Sequence, residues 1–160
     1  MDKVYIGKIV STHGIKGEIR IISNFLYKDK VFQVGKKIIV DDKEYTILSY
    51  RFHKKYDMIT LEGYHDINEV QFLLKRNVYV DKNSLSLGDN EILDEDLLLF
   101  KVIDQNGRKG VIQEVFFASE SNRIIRVLFD KEILIPFSSP MIVNIDKEKK
   151  LITVQLIEGM

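Results

Sequence analysis

Along the first sixty residues, apolar and polar positions alternate in short runs with the period of half-buried strands. Val4 and Ile6 share one side of such a run, and Ile19 and Ile21 share one side of the next. "KKIIV", the turn-like "DDK" and "EYTILSYRF" predict a hairpin, and the loop "HKKYD" leads into "MITLEG" as a further strand of the same meander. One stretch changes period. In "DINEVQFLLK" Ile67, Val70, Leu73 and Leu74 fall on one face at helical spacing. Asp66 is placed to cap this helix and Glu69 to complete a capping box. The helix is expected to plug one end of a barrel that the strand "NVYVD" closes.

A polar, acidic and aperiodic stretch, "KNSLSLGDNEILDED", then interrupts the pattern and reads as a linker. Beyond it, Asn106-Gly107 sits between two strand patterns and predicts a hairpin turn. Gly110 marks either a bulge or a close strand approach. "RIIRVLFDKEILIPF" reads as a second hairpin and "LITVQLI" as a closing strand, giving about five strands. The expected organisation is residues 1–84 as one β-barrel with a single short helix, 85–95 as linker, and 96–160 as a second small β-domain.

Composition narrows the function classes. A 160-residue chain with 45% hydrophobic and 30% charged residues is globular rather than disordered. No apolar run is long enough for a membrane helix. "MDKVYIGKIV" lacks the features of a secretory signal, and the chain has no cysteine for disulfides or thiolate metal sites. The expectation is a cytoplasmic protein with no membrane contact and no cofactor. Net charge is zero, but residues 1–85 hold 15 Lys and Arg against 11 Asp and Glu, whereas residues 86–160 hold 9 against 13. The first half therefore suits phosphate and the second a basic protein.

The densest candidate chemistry is "STHGIKGEIRI". Its glycines lead into strand-like alternation instead of a helix N-terminus, which excludes a mononucleotide or dinucleotide phosphate loop. His13, His53 and His65 lack metal-ligand spacing, and Thr12 beside His13 would point to the opposite face of a strand. What remains is a corner in which Gly14 and Gly17 supply left-handed torsions and His13, Lys16 and Arg20 project. Two readings stay open: a tight turn, or a binding edge. In "YRFHKKYD", Arg51, His53, Lys54 and Lys55 interleave with aromatic rings, which suits either an RNA surface or a solvated basic loop. In "EILIPF", Ile135, Pro136 and Phe137 form either an exposed apolar edge or a barrel closure. No constellation for bond-making catalysis is found.

Taken in order, "GKIVSTHGIKGEIRI", "RFHKKYDMITLEG", "DINEVQFLLKRNVYVD", "EILIPF" and "NIDKEKKLITVQLIEG" resemble the RimM family of ribosome maturation factors over nearly the whole chain. "VIDQNGRKGVIQEV" is similar to the opening hairpin of that family's PRC barrel. The resemblance implies a translation-factor-like N-terminal barrel and a C-terminal PRC barrel. It also implies a non-enzymatic factor that binds free small ribosomal subunits, not complete ribosomes, and promotes head maturation and small-subunit rRNA processing. The partners implied are small-subunit rRNA and a basic ribosomal protein of the head, the latter through the second domain. Separately from the resemblance, the chain is expected to be a monomer. On this reading His13, Lys16, Arg20, Arg51, His53, Lys54 and Lys55 face RNA. Ile92, Leu93, Phe100, Ile135, Pro136 and Phe137 face the ribosomal protein, and Gly14, Gly17, Asn106 and Gly107 shape turns. Ile92 and Leu93 stand where many members carry two tyrosines, and Ile157 where proline is frequent. A flavin- or small-ligand-binding barrel enzyme and a general protein adaptor are the alternative readings.

Overall fold

The computed structural model describes residues 2–160. Two compact units divide the chain, the first ending at Ser86 and the second running Leu87–Met160.

The first unit is a closed six-stranded barrel. Its strands are β1 (Lys3–His13), β2 (Glu18–Ile22), β3 (Lys37–Val40), β4 (Lys43–His53), β5 (Tyr56–Leu61) and β6 (Asn77–Asp81), in the spatial order β1-β2-β5-β4-β3-β6. The β3–β4 turn places Asp41 and Asp42 at φ 52° and 65°, the left-handed pair of a type I′ hairpin, whose twist matches the flanking strands. Closure comes from β6, which pairs with β1 on one side and β3 on the other. Ile6, Ile9, Ile19, Ile21, Ile47 and Ile59 fill the interior.

The predicted helix is shorter than its sequence period suggests. Only Ile67–Val70 (α1) is α-helical, and Gln71–Leu73 tightens into a 3₁₀ turn. Asp66 caps α1 by accepting the Asn68 N–H at 2.7 Å, while Glu69 reaches back to the His65 N–H at 3.1 Å. Tertiary pairing ends the helix: the Lys75 N–H donates to the Ile9 carbonyl and the Ile9 N–H to the Arg76 carbonyl, so the chain joins β1 instead of coiling further. Val70 and Leu73 remain fully buried.

The second unit begins with a helical turn, α2 (Asp94–Leu97), followed by six strands rather than five. They are β7 (Lys101–Ile103), β8 (Lys109–Ser119), β9 (Asn122–Leu128), β10 (Glu132–Pro136), β11 (Ile142–Asp146) and β12 (Leu151–Val154), in the order β10-β9-β8-β7-β12-β11. The additional strand is β11, whose alternation is broken by an irregularity between Ile142 and Asn144. Strands β7 and β12 run parallel, and every other pairing is antiparallel. Leu97, Phe100, Val102, Ile125, Ile135 and Ile152 belong to one core.

In the β7–β8 connection only Gly107 takes a positive φ, 83°, as in a three-residue hairpin loop that ends in a glycine bulge. The Asp104 carboxylate is buried beneath this loop. It accepts the Asn106 N–H (3.0 Å), the Arg108 N–H (2.8 Å) and the Arg108 Nε–H (2.6 Å). Gly110 marks a close approach, since a Cβ there would lie 2.7 Å from Val127 Cγ1, while the register beside it is unbroken.

Candidate nucleic-acid interface

Six of the seven residues read from the sequence as RNA contacts lie on or at one end of the outer surface of β1, β2, β5 and β4. Register explains this. Ser11, Arg20, Met58 and Arg51 stand opposite one another across the four strands, with His13 beside Glu18 at one side of this row and His53 beside Tyr56 at the other. Simple alternation would have failed to predict it. Counting from Ile9 or Ile47, both fully buried, strict alternation turns Ser11, His13 and Arg51 inward. An irregularity between Ile9 and Ser11, and another between Ile47 and Ser49, shifts the count by one and turns these side chains out. Re-aiming a side chain in this way is a recurrent use of β-bulges.

The two arginines are held in different ways. Arg51 donates two hydrogen bonds to the Glu18 carboxylate, at 2.9 and 2.8 Å. These bonds hold the Glu18 carboxyl below its usual range against the opposing effect of burial, and they raise Arg51 further. Among the described residues Arg20 instead meets no carboxylate through a hydrogen bond: its partners are the His13 Nδ1 at 2.5 Å, the Thr12 carbonyl at 3.2 Å and the Ser11 hydroxyl at 3.4 Å. Its guanidinium also lies 5.6 Å from the Tyr56 ring centroid. Met58, fully buried, is the cross-strand partner of both arginines. Arg20 also adds to the positive field that lowers the Glu18 carboxyl, but its own hydrogen bonds fix it without a carboxylate partner.

Lys54 and Lys55 form the whole of the two-residue β4–β5 turn, with His53 paired to Tyr56 across it. Lys54 sits at φ 58°, where a lysine is strained and a glycine would not be. The Lys55 ammonium lies 5.6 Å over the Tyr56 ring. Lys16 projects from the β1–β2 corner at the opposite end of the face, where Gly14 and Gly17 take φ 68° and 84°. Lys8, exposed on β1 opposite Ile22, extends the same face and was missed by sequence reasoning. Its outward position in the alternation around Ile6 and Ile9 was the signal available.

Of the rings in this segment, Tyr56 belongs to the face and Tyr50 does not. Tyr50 points inward, stacks on Phe32 at 5.8 Å and donates its hydroxyl to Asp57 at 2.7 Å. Burial and the neighbouring Asp57 carboxylate both raise the Tyr50 phenol. Asp57 is fully buried and also meets the Lys28 ammonium at 2.8 Å, which ties the β2–β3 connection to this end of the barrel.

The apolar candidates of the second unit are placed differently. Ile92, Leu93, Phe100 and Ile135 are buried within that unit, while Pro136 and Phe137 are half-buried. Ile92, Phe100 and Ile135 belong to that unit's core, and Ile92, Leu93 and Phe100 also line a pocket together with Leu87 and Leu99. Ile92 and Leu93, expected in the linker, are drawn in by Arg123. Its guanidinium donates to the Ile92 carbonyl (2.7 Å) and to Asp94 (2.8 Å) and stacks 4.5 Å from the Phe137 ring. On β10 the register with β9 is continuous, so Ile133 and Ile135 point in and Leu134 points out. Val111 and Leu128, a cross-strand pair, are exposed as well.

Comparison with known proteins agrees with this division. Residues 4–85 match the model of the RimM N-terminal domain, and residues 94–160 match that of the RimM PRC barrel domain. The ribosome maturation factor RimM of Staphylococcus saprophyticus is 36% identical, with 99% of this chain and 98% of that protein covered. The RimM of Staphylococcus aureus is 34% identical over the same shares. A crystal structure of a putative 16S ribosomal RNA processing protein RimM from Pseudomonas aeruginosa is 25% identical, covers 99% of this chain and 100% of that one, and superposes with a TM-score of 0.49. The two domain matches in order, and relatives aligned end to end, establish that this chain belongs to the RimM family.

Proposed function

We propose that this protein is an accessory factor for late maturation of the small ribosomal subunit, acting on the subunit head and on small-subunit rRNA processing, and that it works by binding alone. The observation that carries the reading is the outer face of the first barrel. Lys8, Arg20, Arg51, His53 and the turn lysines 54 and 55 stand there in cross-strand register around Tyr56. Cations on a rigid sheet suit RNA phosphates, and a ring among them offers a surface for a base. The names of the relatives, all ribosome maturation factors, support the same assignment.

The second domain, with 9 basic against 13 acidic residues in its half of the chain, engages a basic ribosomal protein of the head. Holding RNA and protein at once raises the effective concentration of each for the other and shifts the head toward its mature arrangement. The factor acts as a cytoplasmic monomer and leaves once complete ribosomes form. Sedimentation with free small subunits, large subunits and complete ribosomes in parallel tests this. Co-migration with free small subunits alone is the expected result, and equal co-migration with all three, or with none, overturns it.

A further inference from the structure

We propose that Ile15 is an apolar wedge that enters a step between rRNA bases at the end of the cationic face; the proposal rests on the reading of that face as an RNA surface. Ile15 is 77% exposed, the highest value among the large apolar side chains of the described residues. It is not on a free loop. The Ile15 carbonyl accepts the Ile67 N–H at 3.0 Å, and Gly17 lies so close to the 64–66 backbone that a Cβ would meet the Tyr64 carbonyl oxygen at 3.1 Å and the Asp66 nitrogen at 3.2 Å. The left-handed torsions of Gly14 and Gly17 turn the chain on either side. A backbone held at the Ile15 carbonyl and at Gly17 thus keeps an isoleucine side chain directed into solvent, where its apolar surface stays unburied.

The surroundings indicate the partner. Lys16 is adjacent, and the His13–Arg20 pair begins the cationic row directly behind the corner. From Lys8 to His13 the track runs along β1 for about 16 Å at the usual strand rise. An RNA strand whose phosphates follow it arrives at the Ile15 side chain. The nearby carboxylates Asp66 and Glu69 are engaged with the backbone N–H groups of Asn68 and His65. Isoleucine, leucine and methionine side chains are the kind inserted between base steps by nucleic-acid-binding proteins, where they partly unstack the bases. Here the wedge is preorganised, so insertion adds little ordering cost.

The test uses the full chain and free small subunits, with affinity measured across a salt series. Ile15→Ala and Ile15→Ser should each weaken binding roughly tenfold at every salt concentration, with the salt slope of the parent. Lys16→Ala should instead reduce that slope by about one. Melting temperatures should match the parent, because the Ile15 side chain is exposed. A photoreactive side chain placed at position 15 should form its adduct on rRNA. Parent-like affinity of both Ile15 variants, or an adduct confined to ribosomal protein, overturns the wedge while leaving the basic face intact. Failure of the parent itself to bind small subunits removes both readings together.

Discussion

The two domains treat their chemically suggestive residues in opposite ways. In the first, irregularities in β1 and β4 turn His13, Ser11 and Arg51 out of the barrel and into one row with Arg20. In the second, β10 keeps an unbroken register with β9, so Ile135 stays in the core with Phe100 and Ile92. A residue's type says what it could bind, but strand parity decides whether it is available. One inserted residue reverses that parity, so a bulge beside a charged strand determines function as much as the charges themselves.

The largest effects should come from the interior of the second domain. Ile135→Ala is expected to cost roughly 2–5 kcal/mol and Phe100→Ala roughly 3–5 kcal/mol of stability, read from denaturant unfolding. An unaltered unfolding midpoint together with lost subunit binding would make these residues an interface instead of a structural core. In the first domain, Asp57→Ala leaves the Tyr50 hydroxyl and the Lys28 ammonium without their buried acceptor. A loss of about 3 kcal/mol is expected, with the β2–β3 connection becoming the first segment to exchange amide hydrogens. Retained stability would mean that this connection is not anchored through Asp57.

Smaller and opposite in sign is Lys54→Gly. Relief of the left-handed torsion should leave stability unchanged or raise it by up to ~1 kcal/mol, while affinity for free small subunits falls. A variant that is both more stable and equally tight would make Lys54 a turn residue only. The last effect concerns pH. Burial would push the Asp104 carboxyl up, but hydrogen bonds from the Arg108 side chain and from the Arg108 and Asn106 backbone outweigh it and hold it below the usual value. A depressed folded value means a stabilisation present above the ordinary carboxylate range and lost as pH falls through the folded value. Asp104→Asn should therefore flatten the decline of melting temperature on acidification below about pH 5. An identical acid limb would show that the loop is held by its backbone bonds alone.

Much of the fold was legible in the sequence because its signals are local. The "DDK" hairpin, the Asn106-Gly107 turn and the Asp66 cap all follow from side chains within a few positions of each other. What was not legible depends on partners far along the chain. The parallel pairing of β7 with β12 has no turn to announce it, and α1 stops early because residues 75 and 76 pair with Ile9. The irregularity in β11 hid a strand by breaking its alternation. The same cause divided the candidate sites. That the basic residues cluster could be read from type and spacing alone, but placing Ile135 required knowing which side of β10 faces the core.

The account stands on the outer face of the first barrel as the surface that meets RNA phosphates. Its most direct test is the salt dependence of binding to free small subunits for the parent chain and for Lys54→Ala/Lys55→Ala. The double variant should bind more weakly at low salt, with a log–log slope shallower by about 1.4 to 1.8, the value for two lost phosphate contacts. A slope identical to the parent's would remove this face from the interface and contradict the account.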